Sequence, residues 1–185
     1  MTRSNKLLCR GYNYGGLNAN GQSSGFQNSW EEVLPSMEWS QVQGGSAARC
    51  ALTRDGNLYC WGWNNTGGVG NNTQQLQTLP FKVPLPGKVI FFTIGNNGTC
   101  AIVVGNDVYC WGGGFSTSYK PNPTFVINGA LAVNIGRFHV CIKNLSGKSQ
   151  CTGYSNGMGI NAQPWTNFYD QWVYPALFDI DFALQ

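Results

Sequence analysis

Charge and histidine are scarce in this chain. Only 10% of its 185 residues are charged, and His139 is its single histidine. With one histidine, neither a Ser-His-Asp nor a Cys-His site is easily assembled. His139 is therefore read as a turn or packing residue, and catalysis is not expected. No run of about 18 apolar residues occurs, so no transmembrane helix is expected. The first residues, Met1 to Lys6, lead only into Leu7-Leu8 and do not form a signal peptide. Gly112-Gly113-Gly114 reads as a turn, not a phosphate cradle, and no dinucleotide fingerprint is present. None of the seven cysteines forms a C-x-x-C pair, so a zinc ribbon or redox motif is unsupported. The net charge of +3 comes from scattered basic residues, densest at Arg3, Lys6 and Arg10. Scattered charge describes solvated strand faces, not a nucleic-acid footprint. No cofactor, metal or nucleic-acid partner is expected.

What is abundant is glycine, with 25 residues, and aromatic side chains, at 14%. A stretch running Cys50-Ala51-Leu52-Thr53-Arg54-Asp55-Gly56-Asn57-Leu58-Tyr59-Cys60-Trp61-Gly62 recurs from Cys100 to Gly112 and, more worn, from Cys141 to Gly153. In each copy the two cysteines stand ten positions apart, and Gly45, Gly95 or Gly136 stands five positions before the first. Counting inward from Cys50 and Cys60 puts Ala51 opposite Tyr59 and Leu52 opposite Leu58, with a three-residue loop, Arg54-Asp55-Gly56. The third loop places are Gly56, Asn106 and Gly147, the residue types that accept positive φ at least cost. The cysteines then fall on a non-hydrogen-bonded pair, close enough for a disulfide. The expected bridges are Cys50–Cys60, Cys100–Cys110 and Cys141–Cys151. Paired cysteines point to an oxidising, extracellular location, secreted or at the cell surface.

Aligning Cys9 with Cys60 places Asn5 in the third loop place and Gly11-Tyr12-Asn13 against Gly62-Trp63-Asn64. Cys9 is then unpaired in this chain, and the expectation is that its partner lies upstream of Met1 in a longer precursor. The opening strands of successive units read as Trp39–Val42, Val89–Ile94, Ala130–Ile135 and Leu177–Leu184. Val89–Ile94 is apolar throughout and is expected to be buried on both sides. Glu31, Glu32 and Glu38 read as a solvated acidic loop within a loop-rich stretch, residues 10–38. The chain thus divides into a partial unit 1–38, units 39–88, 89–129 and 130–176, and a partial unit 177–185, all in one repeat domain. Second cysteines recur after 51, 50 and 41 residues, a period that suits propeller blades.

Gly45, the run from Cys50 to Asn64, and Gly67-Gly68-Val69-Gly70 together resemble the repeat of the regulator-of-chromosome-condensation family. The paired cysteines resemble its secreted and cell-surface branch. The resemblance is strong over residues 44–70, good over 94–112 and weak over 135–160, where Thr152 replaces the tryptophan. It implies an all-β fold of β-propeller-like blades, three to four antiparallel strands each, in a partial or small propeller. Fold alone does not give function. The reading carried forward is a non-catalytic extracellular recognition or assembly module that binds a protein, a glycan or copies of itself through edge strands. The alternative is a secreted enzyme inhibitor or a guanine-nucleotide exchange factor. Candidate contacts are Trp63, Tyr154 and Trp165. Four sequons place acceptor asparagines in expected loops, at Asn64, Asn71, Asn97 and Asn144.

Overall fold

A computed structural model describes residues 1–114, 118–137 and 139–153. Tyr154, Trp165, the strand at residues 177–184 and the partial unit 177–185 lie outside the described residues.

The first unit contributes β1 (Leu8–Tyr12) and β2 (Phe26–Glu32), which pair antiparallel around a 3-10 turn at Tyr14–Gly16. The second is a four-stranded sheet of β3 (Trp39–Gly44), β4 (Ala48–Thr53), β5 (Leu58–Gly62) and β6 (Gln77–Lys82) in sequence order. The third repeats it with β7 (Val89–Ile94), β8 (Gly98–Val103), β9 (Val108–Gly112) and β10 (Lys120–Ile127). The fourth shows β11 (Ala130–Ile135), β12 (His139–Asn144) and β13 (Ser149–Gly153). Every neighbouring pair is antiparallel, as propeller blades require.

The hairpins have the register that the cysteine spacing implies. Cys50 faces Cys60, Ala51 faces Tyr59 and Leu52 faces Leu58. Disulfides join Cys50 to Cys60, Cys100 to Cys110 and Cys141 to Cys151, with Cα atoms 4.0–4.1 Å apart. The third loop place has positive φ in all four units: Asn5 59°, Gly56 83°, Asn106 68° and Gly147 81°. That conformation aims the loop carbonyl at the next unit. The first strand amides of Trp39, Val89 and Ala130 donate to the carbonyls of Asn5, Gly56 and Asn106 at 2.9, 2.9 and 3.0 Å. At the tip of the second hairpin the Thr53 hydroxyl bonds to Asp55, which holds that carboxyl below its usual range; Lys88, just before the next unit, adds to the effect.

The first two disulfides are covered by the following sheet. Cys50 and Cys60 share a core with Val89, Phe92 and Ala101. Cys100 and Cys110 share one with Ala130, Val133 and Ile135. Cys9 occupies the same place in the first unit, against the cluster of Trp39, Ala51 and Trp61. It is a free thiol, and burial pushes its pKa up.

Two further contacts repeat between units. The Trp61 indole donates to the Leu17 carbonyl at 3.0 Å, and the Trp111 indole to the Gly68 carbonyl at 2.8 Å. Gly45, Gly95 and Gly136 form a backbone stack: a Cβ on Gly45 would stand 2.2 Å from the Gly95 oxygen, and one on Gly95 2.5 Å from that of Gly136. His139 packs its ring against Gly136.

Two expectations need correction. Val89–Ile94 is not buried on both sides, because Ile90 and Phe91 are exposed. The strand lies at a sheet edge, and a bulge between Val89 and Phe91 turns these side chains outward. Residues 10–38 are more ordered than a loop, since they complete β1 and contain β2. The outer strands β2, β6 and β10 escaped the sequence reading because Pro80, Pro121 and Pro123 and the lack of alternation disguise them. Proline is tolerated there because the strands are edges.

Candidate recognition surface

In the first two units the loop after the hairpin is built on buried amides. In the first unit Asn13 donates through Nδ2 to Asn20 Oδ1 and the Gln22 carbonyl, both at 2.9 Å, while its Oδ1 accepts the Asn18 amide at 2.8 Å. Asn20 then donates to Gln27 Oε1 at 3.1 Å. The second unit repeats this relay with Asn64, Asn71 and Gln77. Asn64 donates to Asn71 Oδ1 and the Thr73 carbonyl and accepts from Val69, each at 2.9 Å, and Asn71 donates to Gln77 Oε1 at 3.1 Å. A network repeated in this way fixes loop shape and is structural.

This geometry corrects the sequon reading at Asn64. Its residue is 0% exposed and both amide hydrogens are engaged, so no glycan fits there. Asn71 is half-buried in the same relay. Asn97 is half-buried, with its carbonyl taken by Thr66 Oγ1 and the Gly113 amide. Asn144 stands at a hairpin tip, where its Oδ1 accepts from Ser146 Oγ and the Lys148 amide. Asn64→Ala should lower stability by about 1–3 kcal/mol, because the Val69 amide would be buried without an acceptor. Urea denaturation of the variant measures this. A glycan at this position would appear as added mass on the wild-type chain, and none is expected.

The surface chemistry concentrates on the first unit. Tyr12, Tyr14, Phe26 and Trp30 are 65%, 57%, 64% and 61% exposed. Tyr12 pairs with Phe26 across β1 and β2. Tyr12 stacks on Tyr14 at 6.2 Å, Tyr14 meets Trp63 at 5.3 Å, and the Arg10 guanidinium lies 5.3 Å from the Trp30 ring. Trp63 is half-buried, with Gly15 directly beneath its indole and Nε1 lacking a partner. It packs between units instead of standing free as a contact residue. The sequence reading did not single out Arg10, Tyr12, Phe26 or Trp30 as contact residues. The signal was present in the alignment, since Arg10 occupies the place of Trp61 and Trp111.

That equivalence says what kind of face this is. Trp61 and Trp111 point at the preceding unit and are 1% and 0% exposed. The matching face of the first unit carries Arg10 beside Trp30. The acidic residues nearby are solvated, with Glu32 3.0 Å from Lys6 and Glu38 3.8 Å from Arg54. Among the described residues no group of three metal-ligating side chains converges, and no helix is long and apolar enough to cross a membrane.

Comparison with known proteins agrees with the repeat geometry. Two family models described as Regulator of chromosome condensation (RCC1) repeat match residues 55–102 and 39–67. The Ultraviolet-B receptor UVR8 of Arabidopsis thaliana is 41% identical over 85 residues, which is 45% of this chain and 19% of that protein. The human WBSCR16 structure superposes with a TM-score of 0.68 at 18% identity, covering 83% of this chain and 44% of that one. Yeast RCC1 (Prp20), in its structure bound to Kap60, gives 0.63 at 17% identity, covering 82% and 38%. The chain thus spans less than half the length of each of these proteins.

Proposed function

We propose that this chain, which matches the repeat of the regulator-of-chromosome-condensation family over residues 39–102, is a non-catalytic recognition module whose protein partner docks on the flank of the first unit. The observation that carries this reading is the exposed strip of Arg10, Tyr12, Phe26 and Trp30. Tyrosine, tryptophan and arginine dominate binding hot spots, and an exposed aromatic strip of this size marks an interaction surface. The equivalent faces of the second and third units carry Trp61 and Trp111 buried against the preceding unit, so this face has the geometry of a protein contact. The solved neighbour that holds Kap60 supports protein recognition as a use of the architecture. The three disulfides support an extracellular setting, because such bridges persist in oxidising compartments.

The test is an array of extracellular proteins and glycans probed with wild-type chain and with a Tyr12→Ala/Trp30→Ala variant. A protein ligand should bind saturably to the wild type and lose about tenfold or more affinity with the variant, equivalent to ~1.4 kcal/mol. Both chains should unfold at the same urea midpoint, because the two side chains are solvent-exposed. Saturable binding that is indifferent to the variant would refute the proposed face.

A further inference from the structure

Beyond protein docking, we infer that a polar pocket at the outer edge of the first unit binds a neutral saccharide. The pocket is an open cleft of about 420 Å³ bounded by the relay residues and by Gln22, Phe26, Asn28 and Glu31. Its volume lies within the range of roughly 300–1,000 Å³ common for small-ligand sites.

The relay gives this pocket a rigid wall. Asn13 and Gln27 are 1% and 8% exposed, and Gln27 Nε2 donates to the Cys9 and Ser29 carbonyls at 2.9 and 3.2 Å. Asn20 Nδ2 spends one hydrogen on Gln27 and keeps one for a ligand. The relay repeats in the second unit, so its presence alone signifies structure. The remaining lining does not repeat. Setting Gln27 against Gln77 places Leu76, Pro80 and Phe81 where the first unit has Phe26, Trp30 and Glu31. At the lining positions, Leu76, Thr78 and Phe81 of the second unit give way to the Phe26 ring, the Asn28 amide and the Glu31 carboxylate of the first.

That combination fits a sugar. A pyranose presents hydroxyls that both donate and accept, which matches the amides of Gln22 and Asn28 and the carboxylate of Glu31. Its C–H face is apolar and lies well on an exposed ring such as Phe26. A single carboxylate with amides on both sides disfavours anions and offers no cage for a metal.

The experiment is a titration of the intact, disulfide-bonded chain with mannose, galactose, glucose and N-acetylglucosamine as separate probes, and with a Gly-Ser peptide as comparison. Isothermal titration calorimetry and backbone amide shifts provide the readouts. At least one sugar should bind saturably with millimolar or better affinity and move the amides of Gln22, Phe26 and Asn28. Phe26→Ala and Asn28→Ala should each weaken binding by about tenfold, while Leu76→Ala, at the equivalent place in the second unit, should leave it unchanged. All three variants should retain the wild-type urea midpoint, since these side chains are exposed or partly so. No saturable sugar binding, binding that survives Phe26→Ala and Asn28→Ala, or preference for the peptide would each overturn the assignment. Phe26 borders both the pocket and the Arg10, Tyr12 and Trp30 strip, so Asn28→Ala, which lies outside the strip, separates failure of sugar binding from failure of protein docking, and the protein array tests the strip on its own.

Discussion

Trp111→Ala is expected to lower stability by about 3–5 kcal/mol, the largest effect of any single substitution proposed for this chain. The ring is fully buried, in a core that contains Cys50, Cys60 and Val69 of the preceding unit and Phe92 and Ala101 of its own. Its removal opens a cavity between two units that the rigid backbone glycines prevent from closing. A Cβ on Gly70 would already stand 2.8 Å from the Trp111 nitrogen. Trp111→Phe retains most of the volume and should cost less, about 1–2 kcal/mol, because the Gly68 carbonyl keeps its bond from Thr99 Oγ1 at 2.9 Å. Urea denaturation should show a lower midpoint with an unchanged slope for both variants. A loss below about 1 kcal/mol for the alanine variant would mean that this indole is not the principal contact between units.

Removing the Cys100–Cys110 bridge as Cys100→Ala/Cys110→Ala should cost about 2–4 kcal/mol. Part of this is the freedom restored to the unfolded hairpin. The rest is lost packing, since both cysteines are 0% exposed beneath Ala130, Val133 and Ile135. The same burial protects the bridge. Under mild reductant Cys141–Cys151, which is half-buried, should open before Cys50–Cys60 and Cys100–Cys110. Timed alkylation followed by peptide mapping reads the order. Simultaneous reduction of all three would show that the sheets do not shield the inner bridges.

The hairpins were the most legible part of the sequence. Register, loop length and the positive-φ place could all be counted from the cysteines, because a covalent pair separated by ten residues leaves few alternatives. Gly45, Gly95 and Gly136 were visible as a repeated signal, but their reason was not. They are glycine because the backbones of neighbouring units touch there, and a contact between residues about fifty positions apart has no local signature. The outer strands were hidden for a similar reason. Residues such as Pro80 and Pro123 look like loop breakers until the sheet edge that tolerates them is known. Asn64 misled in the opposite direction, since its sequon suggested a solvent loop while its side chain holds that loop together from within. The surface of the first unit was legible only in part. Arg10 aligns with Trp61, yet the meaning of that substitution depends on seeing that the equivalent tryptophans face the preceding unit.

The central claim is that the units form one interlocked array and not a string of independent hairpins, and native-state hydrogen exchange tests it most directly. The amides of Trp39, Val89 and Ala130 bond only to the loop carbonyls of the preceding unit. If the units are interlocked, these three should exchange within about tenfold of the ladder amides in the β4–β5 and β8–β9 hairpins. Exchange of all three at the rate of exposed turn amides, while the hairpin ladders remain protected, would contradict the claim.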